Sequence, residues 1–302
     1  MMKNKFKPML LSNDEFDLKS LDYSNMYISI KRDGVRAEIT NEGIKNRSLK
    51  ILRNKNIQEH FREIWSNLPD DVILEGEIYS DELPCRKIAG ICNSLDKEVP
   101  ESMKLYIFGI YNPTIPFEGR IEMLIEIENI LPMNTKFEIV EQEKVNSYEE
   151  CIELYNQFIE QGYEGAVLMD GTKPYKSGKV TIKEHIGFKL KPTREDDLEI
   201  IDVNERFENT NESQINELGY KFKRNTVDAK EGTGLAATFT CKLPNGEETK
   251  VTITGDEESR RKIWTNRNDY IGRYVVVKSM DYGIKDRLRH PRMIEIKEIC
   301  EK

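Results

Sequence analysis

Apolar and polar residues alternate along 26–40, MYISIKRDGVRAEIT, and the alternation breaks once, at Asp33 and Gly34. A period of two puts every second side chain on one face of a strand, and Asp-Gly is a turn signal. The stretch predicts a strand, a tight turn and a resumed strand, with Lys31 at a strand end beside the turn. Residues 71–80 (DVILEGEIYS), 104–111 (KLYIFGIY), 165–169 and 186–191 (IGFKLK) predict further strands, the first with Gly76 near its centre. A period near 3.6 predicts helices over 56–67, 118–131 and 148–161. Gly162 stands where it caps the last of these.

Pro192 ends this pattern, and a charged stretch, TREDD at 193–197, follows it. Proline next to a charge run marks a boundary, which divides the chain into 1–191 and 192–302. Beyond it lie short strand-like runs at 198–203, 234–243, 249–254, 273–279 and 293–299. A Pro-Asn-Gly turn occupies 244–246, and one helical stretch occupies 256–265. Short strands around one helix predict a small Greek-key barrel of the OB type; a small β-sandwich or an SH3-like barrel fits the same pattern. The fold class expected is α+β: a first domain of antiparallel sheets and helices, followed by a small β-barrel domain. No internal repeat or low-complexity segment is visible.

Composition narrows the setting. The 302 residues suffice for two sizeable cores. No apolar run is long enough to span a bilayer, and the first residues, MMKNK, lack the apolar core of a signal peptide. The cysteines, Cys85, Cys92, Cys151, Cys241 and Cys300, show no CxxC spacing, so neither zinc nor a disulfide framework is indicated. A reduced, cytoplasmic setting is expected. The net charge of −8 argues against a nucleic-acid partner only weakly, because binding depends on where cations lie. Residues 45–55 carry five cations and no acid, residues 220–224 interleave cations with aromatics, and residues 285–292 hold four cations against one acid. These strips are candidate phosphate-facing surfaces, or solvated faces that keep the chain soluble.

The candidate chemistry centres on the hexapeptide 31–36, KRDGVR, which reads K-x-D-G-x-R. A lysine amine attacks only when it is neutral and held in place. Nearby cations and partial burial favour its neutral form, and Arg32, Arg36 and the later lysines are the expected cations. Glu75 and Glu77 flank Gly76 two apart on one strand face, and Glu164 precedes Gly165 at the start of another strand. Acids beside glycine permit close approach of a ligand or metal, and magnesium takes a few carboxylates with phosphate oxygens and water. Lys189 and Lys191 point to one side of a strand, an unfavourable pairing unless an anion lies there. Tyr106 and Phe108 offer faces for a purine. Each group also has a structural reading: a polar strand face, a lysine-guarded edge strand, a core aromatic.

Taken in order, these elements resemble the ATP-dependent DNA ligases, a family of covalent nucleotidyltransferases. The likeness is to the small two-domain ligases of bacteria and bacteriophages, and it runs from KPML at 7–10 to Lys297. The resemblance implies a nucleotidyltransferase (ATP-grasp-like ligase) domain over 1–191 and an OB-fold domain over 192–302, a minimal form without a zinc finger or extra DNA-binding domain. It implies that Lys31 becomes lysyl-AMP, that Asp33 orders the lysine and a metal-bound water, and that Arg36 holds the ribose and then the nick. Arg47 would sit on the phosphates, Glu77 on the ribose or metal, Phe108 on the adenine, and Glu164 beside the metal. Lys189 and Lys191 would grip the α-phosphate, and Ser29 and Ile30 would belong to the nucleotide site. Arg260, Trp264 and Gly272 fall in the OB-like stretch, while Arg289 and Lys297 match the terminal motif that orients pyrophosphate.

Three departures stand out. Many ligases place a glutamate two residues before the lysine to read the adenine amino group, and here Ser29 occupies that position. The aromatic strand continues Phe108-Gly109 rather than Phe-Asp, and Glu295 stands where the terminal motif carries an arginine. The implied reaction has three steps: adenylylation of Lys31 by ATP with magnesium, AMP transfer to the 5′-phosphate of nicked duplex DNA, and attack by the 3′-hydroxyl. The partner expected is nicked double-stranded DNA, with no membrane. The expected state is a monomer, in the cytoplasm of a bacterium or a virus-infected host, serving DNA replication, repair or recombination. The rivals are an RNA ligase, a GTP-dependent capping enzyme and a non-catalytic OB-type single-strand binder.

Overall fold

A computed structural model describes residues 6–14, 16–132, 135–215, 221–223, 229–280 and 288–297. The chain divides into two compact units, Met1–Lys191 and Pro192–Lys302. No helix among the described residues is long and apolar enough to cross a membrane.

In chain order the first unit's main strands are β1 (Met26–Lys31), β2 (Val35–Thr40), β3 (Gly43–Asn46), β4 (Leu74–Tyr79), β5 (Lys104–Ile110), β6 (Phe137–Ile139), β7 (Glu143–Val145), β8 (Gly165–Asp170) and β9 (Gly187–Leu190). They form two sheets. One is antiparallel, in the order β9-β8-β1-β7; the other runs β3-β2-β4-β5-β6, antiparallel except for the parallel β5–β6 pair. The resumed strand predicted after Asp33 and Gly34 is present, but β1 and β2 do not pair with each other. Both edges of β1 are taken by β7 and β8, and both edges of β2 by β3 and β4. The turn therefore hands the chain from one sheet to the other, and Lys31 stands at the crossing.

The predicted helices form at Lys55–His60 with Arg62–Trp65, at Phe117–Ile130 and at Tyr148–Glu160. Ser147 caps the last by accepting from the backbone N–H of Glu150, and Gly162, with φ of +90°, follows its C-terminus. Ile39, Ile44, Ile57, Phe61, Ile64, Leu74, Ile78 and Leu105 are fully buried in the core of the larger sheet, while Ile28, Ala166 and Leu168 centre the core beneath the other. The expected elements do not include the helix Cys85–Cys92, whose Ile88 and Cys92 are buried, or the strands β3, β6 and β7. The strands are three or four residues long, too short to show a period against the noise of single positions.

In the second unit β10 (Thr193–Asn209), β11 (Lys230–Lys242), β12 (Glu248–Thr252), β13 (Tyr274–Met280) and β14 (Arg289–Ile296) close a barrel in the order β10-β11-β12-β14-β13. The helix Glu257–Thr265, capped by Asp256, lies between β12 and β13 in sequence and packs Ile263 into a core of Ile200, Ala236, Phe239, Val251, Val275 and Val277. A closed five-stranded barrel with one such helix is the OB arrangement rather than a sandwich or an SH3-like barrel. The charged residues 193–197, which mark the expected boundary and precede the first predicted strand run of the second domain, are the first rungs of ladder in β10, paired in register from Thr193↔Met280 to Glu199↔Tyr274. A strand with one solvated face accepts such residues, and Arg194 Nε donates to Asp196 two positions on at 2.8 Å. Of the candidate basic strips, Tyr220, Arg224 and 285–287 lie outside the described residues, as do the last residues of the 293–299 run.

One acidic pair in the first core is unusual. Glu38 on β2 and Glu75 on β4 are register partners, 0% and 3% exposed, and share the guanidinium of Arg36. Burial, with Glu75 opposite, pushes the Glu38 carboxyl up to about 8, against the pull of Arg36. Its Oε2 has no hydrogen-bond partner. The folded chain therefore holds this proton more tightly than the unfolded chain does, so stability falls as pH rises from the ordinary carboxylate range to about 8 and levels above it. Glu38→Gln should remove that component. We expect the variant to gain on the native chain between pH 5 and pH 9, read from urea midpoints; a constant difference across that range would show that Glu38 titrates normally.

Candidate active site

Lys31 ends β1 opposite Gly165, the first residue of β8. The backbone N–H of Glu164 donates to the Lys31 carbonyl at 3.1 Å. The two side chains also meet, Lys31 Nζ donating to Glu164 Oε2, and the other carboxylate oxygen takes Lys191 Nζ at 2.7 Å. The Glu164 side chain is 4% exposed, so one buried carboxylate joins two ammonium groups. Gly165 makes this possible. A β-carbon there would lie 2.1 Å from the Leu190 carbonyl oxygen, so only glycine lets β8 close on the end of β9.

Gly34 has the same function on the other sheet. A β-carbon there would lie 2.3 Å from the Ile78 carbonyl oxygen, so the motif glycine lets the turn press against β4. Its N–H also reaches the Glu77 carboxylate. Burial pushes Glu77 up to about 7; Lys31 and Arg36 pull it down, and Glu164 pushes it up. The motif thus brings Lys31 and Glu77, from different sheets, into one electrostatic neighbourhood. Asp33 is half-buried in the turn between them.

Arg36 is fixed from three sides. Its Nε donates to Glu38 Oε1 at 3.0 Å, its Nη2 donates to Glu75, and its guanidinium lies 4.6 Å from the Phe108 ring centroid. Tyr175 Oη donates to the same Glu75 at 2.7 Å. Phe108 occupies a bulge: β4 pairs Glu75 with Gly109 and Gly76 with Ile107, leaving Phe108 outside the register. Bulges re-aim side chains, and Phe108 lines the cavity described next. Tyr106 also reaches that cavity, but one of its faces carries the Arg32 guanidinium at 3.8 Å.

A cavity of about 500 Å³ opens beside Lys31, within the range of small-ligand sites. Ser29, Ile30, Arg36, Arg47, Glu77 and Lys189 contribute to its wall, with Phe108, Val140 and Val167 as apolar lining. Lys189 Nζ donates to the Leu11 carbonyl at 2.8 Å and to Asn13 Oδ1 at 3.0 Å. Burial, with Lys191, Lys31 and Arg47 nearby, pulls Lys189 down to about 8. Glu164 and Lys191 stand behind Lys31 rather than on the cavity wall. The direct neighbour of the Lys31 amine is a carboxylate, not one of the cations expected from the sequence. Arg289 and Lys297 belong to the second unit, where Arg289 opens β14 and Lys297 pairs with Asp197.

Two contributors carried no sequence signal: the stretch 11–14, which meets Lys189, and 140–142, which joins β6 to β7. Both are irregular backbone recruited by long-range packing. Among the described residues no three His, Cys, Asp or Glu side chains gather as an ion cage. The site offers an amine held on a buried acid, a second acid facing it, several cations and an apolar slot. That set suits a nucleotide's phosphates at one end and its base at the other.

The family model for the ATP dependent DNA ligase domain matches residues 8–186. A DNA ligase of African swine fever virus is 26% identical over 232 residues, covering 74% of this chain and 49% of the viral protein. Another isolate's DNA ligase is 25% identical over 261 residues, covering 81% and 55%. The chain thus spans about half the length of the curated relatives it matches. Among solved structures, a Lig E DNA ligase has a TM-score of 0.71 at 17% identity, covering 96% of this chain and 99% of that one. The Chlorella virus DNA ligase-adenylate has a TM-score of 0.55 at 20% identity, covering 98% and 100%. At these identities the structures speak to the fold, which is that of a two-domain ligase with an OB barrel. With the family match covering more than half of its length, the chain belongs to the ATP-dependent DNA ligase domain family.

Proposed function

We propose that this chain is an ATP-dependent DNA ligase that seals nicks in duplex DNA through a lysyl-AMP on Lys31. The observation that carries the reading is the Lys31 amine, held on the buried carboxylate of Glu164 at the mouth of a nucleotide-sized cavity. Attack requires the neutral amine, and the Glu164 oxygen in contact with it is the nearest acceptor for its proton. Nζ then attacks the α-phosphorus of ATP; a P–N bond forms, the bond to pyrophosphate breaks, and pyrophosphate leaves with the electron pair. The AMP passes to the 5′-phosphate at the nick, and the 3′-hydroxyl displaces AMP as the strand is joined. Such transfers depend on in-line positioning and on neutralising charge.

The roles assigned combine these positions with what the family likeness implies. Lys189 and Arg47 hold the phosphates from the cavity wall, Lys191 adds its charge from behind Lys31, Asp33 keeps the turn and its lysine in order, and Ser29, Ile30 and Phe108 line the nucleoside slot. Arg36, already oriented by Glu75 and Glu38, meets the ribose and later the nick. Glu77, on the cavity wall, would hold a magnesium ion, joined by Glu164 once an ammonium group releases one of its oxygens; when bound, the ion would neutralise phosphate charge. The unit 1–191 is the adenylation domain and 192–302 the OB domain, with Arg289 and Lys297 serving the pyrophosphate. The strip at 45–55 contacts the duplex, with an affinity that falls as salt rises. The enzyme acts as a monomer in the cytoplasm of a bacterium or an infected host cell.

Incubation with α-labelled ATP and magnesium should label the protein, and Lys31→Ala should reduce the label to background. Labelled protein should then release AMP on sealing a nicked DNA duplex; an unlabelled native protein would refute the covalent mechanism. Lys189 generates a second expectation. Its ammonium attracts phosphate below about 8 and is lost above it, so binding of an α,β-nonhydrolysable ATP analogue should weaken from pH 7 to pH 9. Lys189→Arg should flatten that decline. Lys189→Ala should weaken binding about tenfold at pH 7, since a hydrogen bond to a charged group contributes about 1.5 kcal/mol or more. Calorimetric titration at both pH values measures this, and an unchanged decline in the arginine variant would remove Lys189 from the phosphate site.

A further inference from the structure

We propose that Gln142 selects the nucleobase, its side-chain carbonyl accepting a hydrogen bond from the 6-amino group of adenine. The proposal deepens the adenylation reading and rests on it. Three neighbouring strands, with the residue just before a fourth, set four residues in a single row. Lys189 on β9 pairs with Val167 on β8, and Val167 pairs with Ser29 on β1. The β1–β7 register runs Met26↔Val145, Tyr27↔Lys144 and Ile28↔Glu143, so its next position sets Ser29 against Gln142. All four residues line the cavity. Three interstrand steps of about 4.8 Å separate the ends of the row, roughly 14 Å in all. An ammonium stands at one end, an apolar side chain and a small hydroxyl lie between, and an amide stands at the other. A nucleotide with its phosphate at Lys189 and its base over Val167 turns the far edge of that base toward Gln142.

The amide presents a defined face. Its Nε2 donates to the Val140 carbonyl at 3.3 Å, and its Oε1 is buried with no hydrogen-bond partner. A buried acceptor without a donor is unfavourable until something supplies one. The 6-amino group of adenine is a donor. The 6-keto oxygen of guanine is an acceptor and would face the amide oxygen, leaving both unpaired and repelling. Ser29 cannot make this distinction alone, because a hydroxyl rotates to serve as donor or acceptor. Gln142 lies in the short connection between β6 and β7, far in sequence from the lysine motif, and reaches the base edge only because β7 pairs with β1.

The test compares ATP with the triphosphate of purine riboside, which carries hydrogen in place of the 6-amino group. The readout is kcat/KM for labelling of Lys31. The native protein should prefer ATP by about tenfold, the worth of one such hydrogen bond, and should reject GTP more strongly. Gln142→Leu should lose about tenfold on ATP and nothing on the purine analogue, bringing the ratio to about one. Gln142→Glu retains the acceptor and should retain the preference. A ratio within one variant is insensitive to partial unfolding, so a merely structural role lowers both substrates and leaves the ratio unchanged, which would overturn the proposal. Labelling by ATP with no preference in the native protein would overturn base reading by Gln142 and leave the adenylation reading intact. Failure of every purine nucleotide to label Lys31 would overturn both.

Discussion

The carboxylate of Glu164, nearly excluded from solvent and shared by Lys31 and Lys191, is the contact around which the first unit is arranged. A buried carboxylate is tolerable only when paired, and this one is paired twice. Each partner comes from a different strand end, so the ion triad fixes how β1, β8 and β9 terminate relative to one another. Gly165 is the steric condition for that meeting, and the backbone bond from Glu164 to the Lys31 carbonyl locks it. The position of the Lys31 amine thus follows from an electrostatic requirement at the base of the sheet.

Around this triad the shifted groups lean toward neutrality. Lys189 is pulled down to about 8 and Glu77 is pushed up to about 7, each because burial disfavours its charged form. Like charges add to both effects. A polyanion entering beside Lys189 supplies the opposite charge that site lacks, and a divalent cation does the same for the acids. Arg36 shows the complementary device: held by Glu75, Glu38 and the ring of Phe108, it is oriented before any ligand arrives, which spares the entropy of ordering a long side chain on binding.

The sequence carried a large part of this. The alternation in 26–40, the glycine-flanked acids and the paired lysines identified Lys31, Glu77, Glu164, Lys189 and Lys191, and the strand and helix periods located most of the long elements. The relation between β1 and β2 was not readable, because an Asp-Gly turn looks the same whether its strands pair or part. The charged run at 193–197 does not read as strand because a strand's solvated face and a loop share a composition. Gln142 and the 11–14 stretch had no pattern to reveal them, since irregular backbone acquires its position only from the surfaces it packs against.

By itself the sequence determined which residues are candidates for chemistry and which stretches take up strand or helix, since both depend on side-chain type and on local spacing along the chain. Only the tertiary structure decided that Lys31 faces a carboxylate rather than cations, that Gly34 and Gly165 are close-approach points for two different sheets, and that Gln142 completes a row begun by Lys189. Those outcomes depend on strand order and register. They are set by burial and hydrogen-bond satisfaction summed over the whole domain, and no window of neighbouring residues contains that sum.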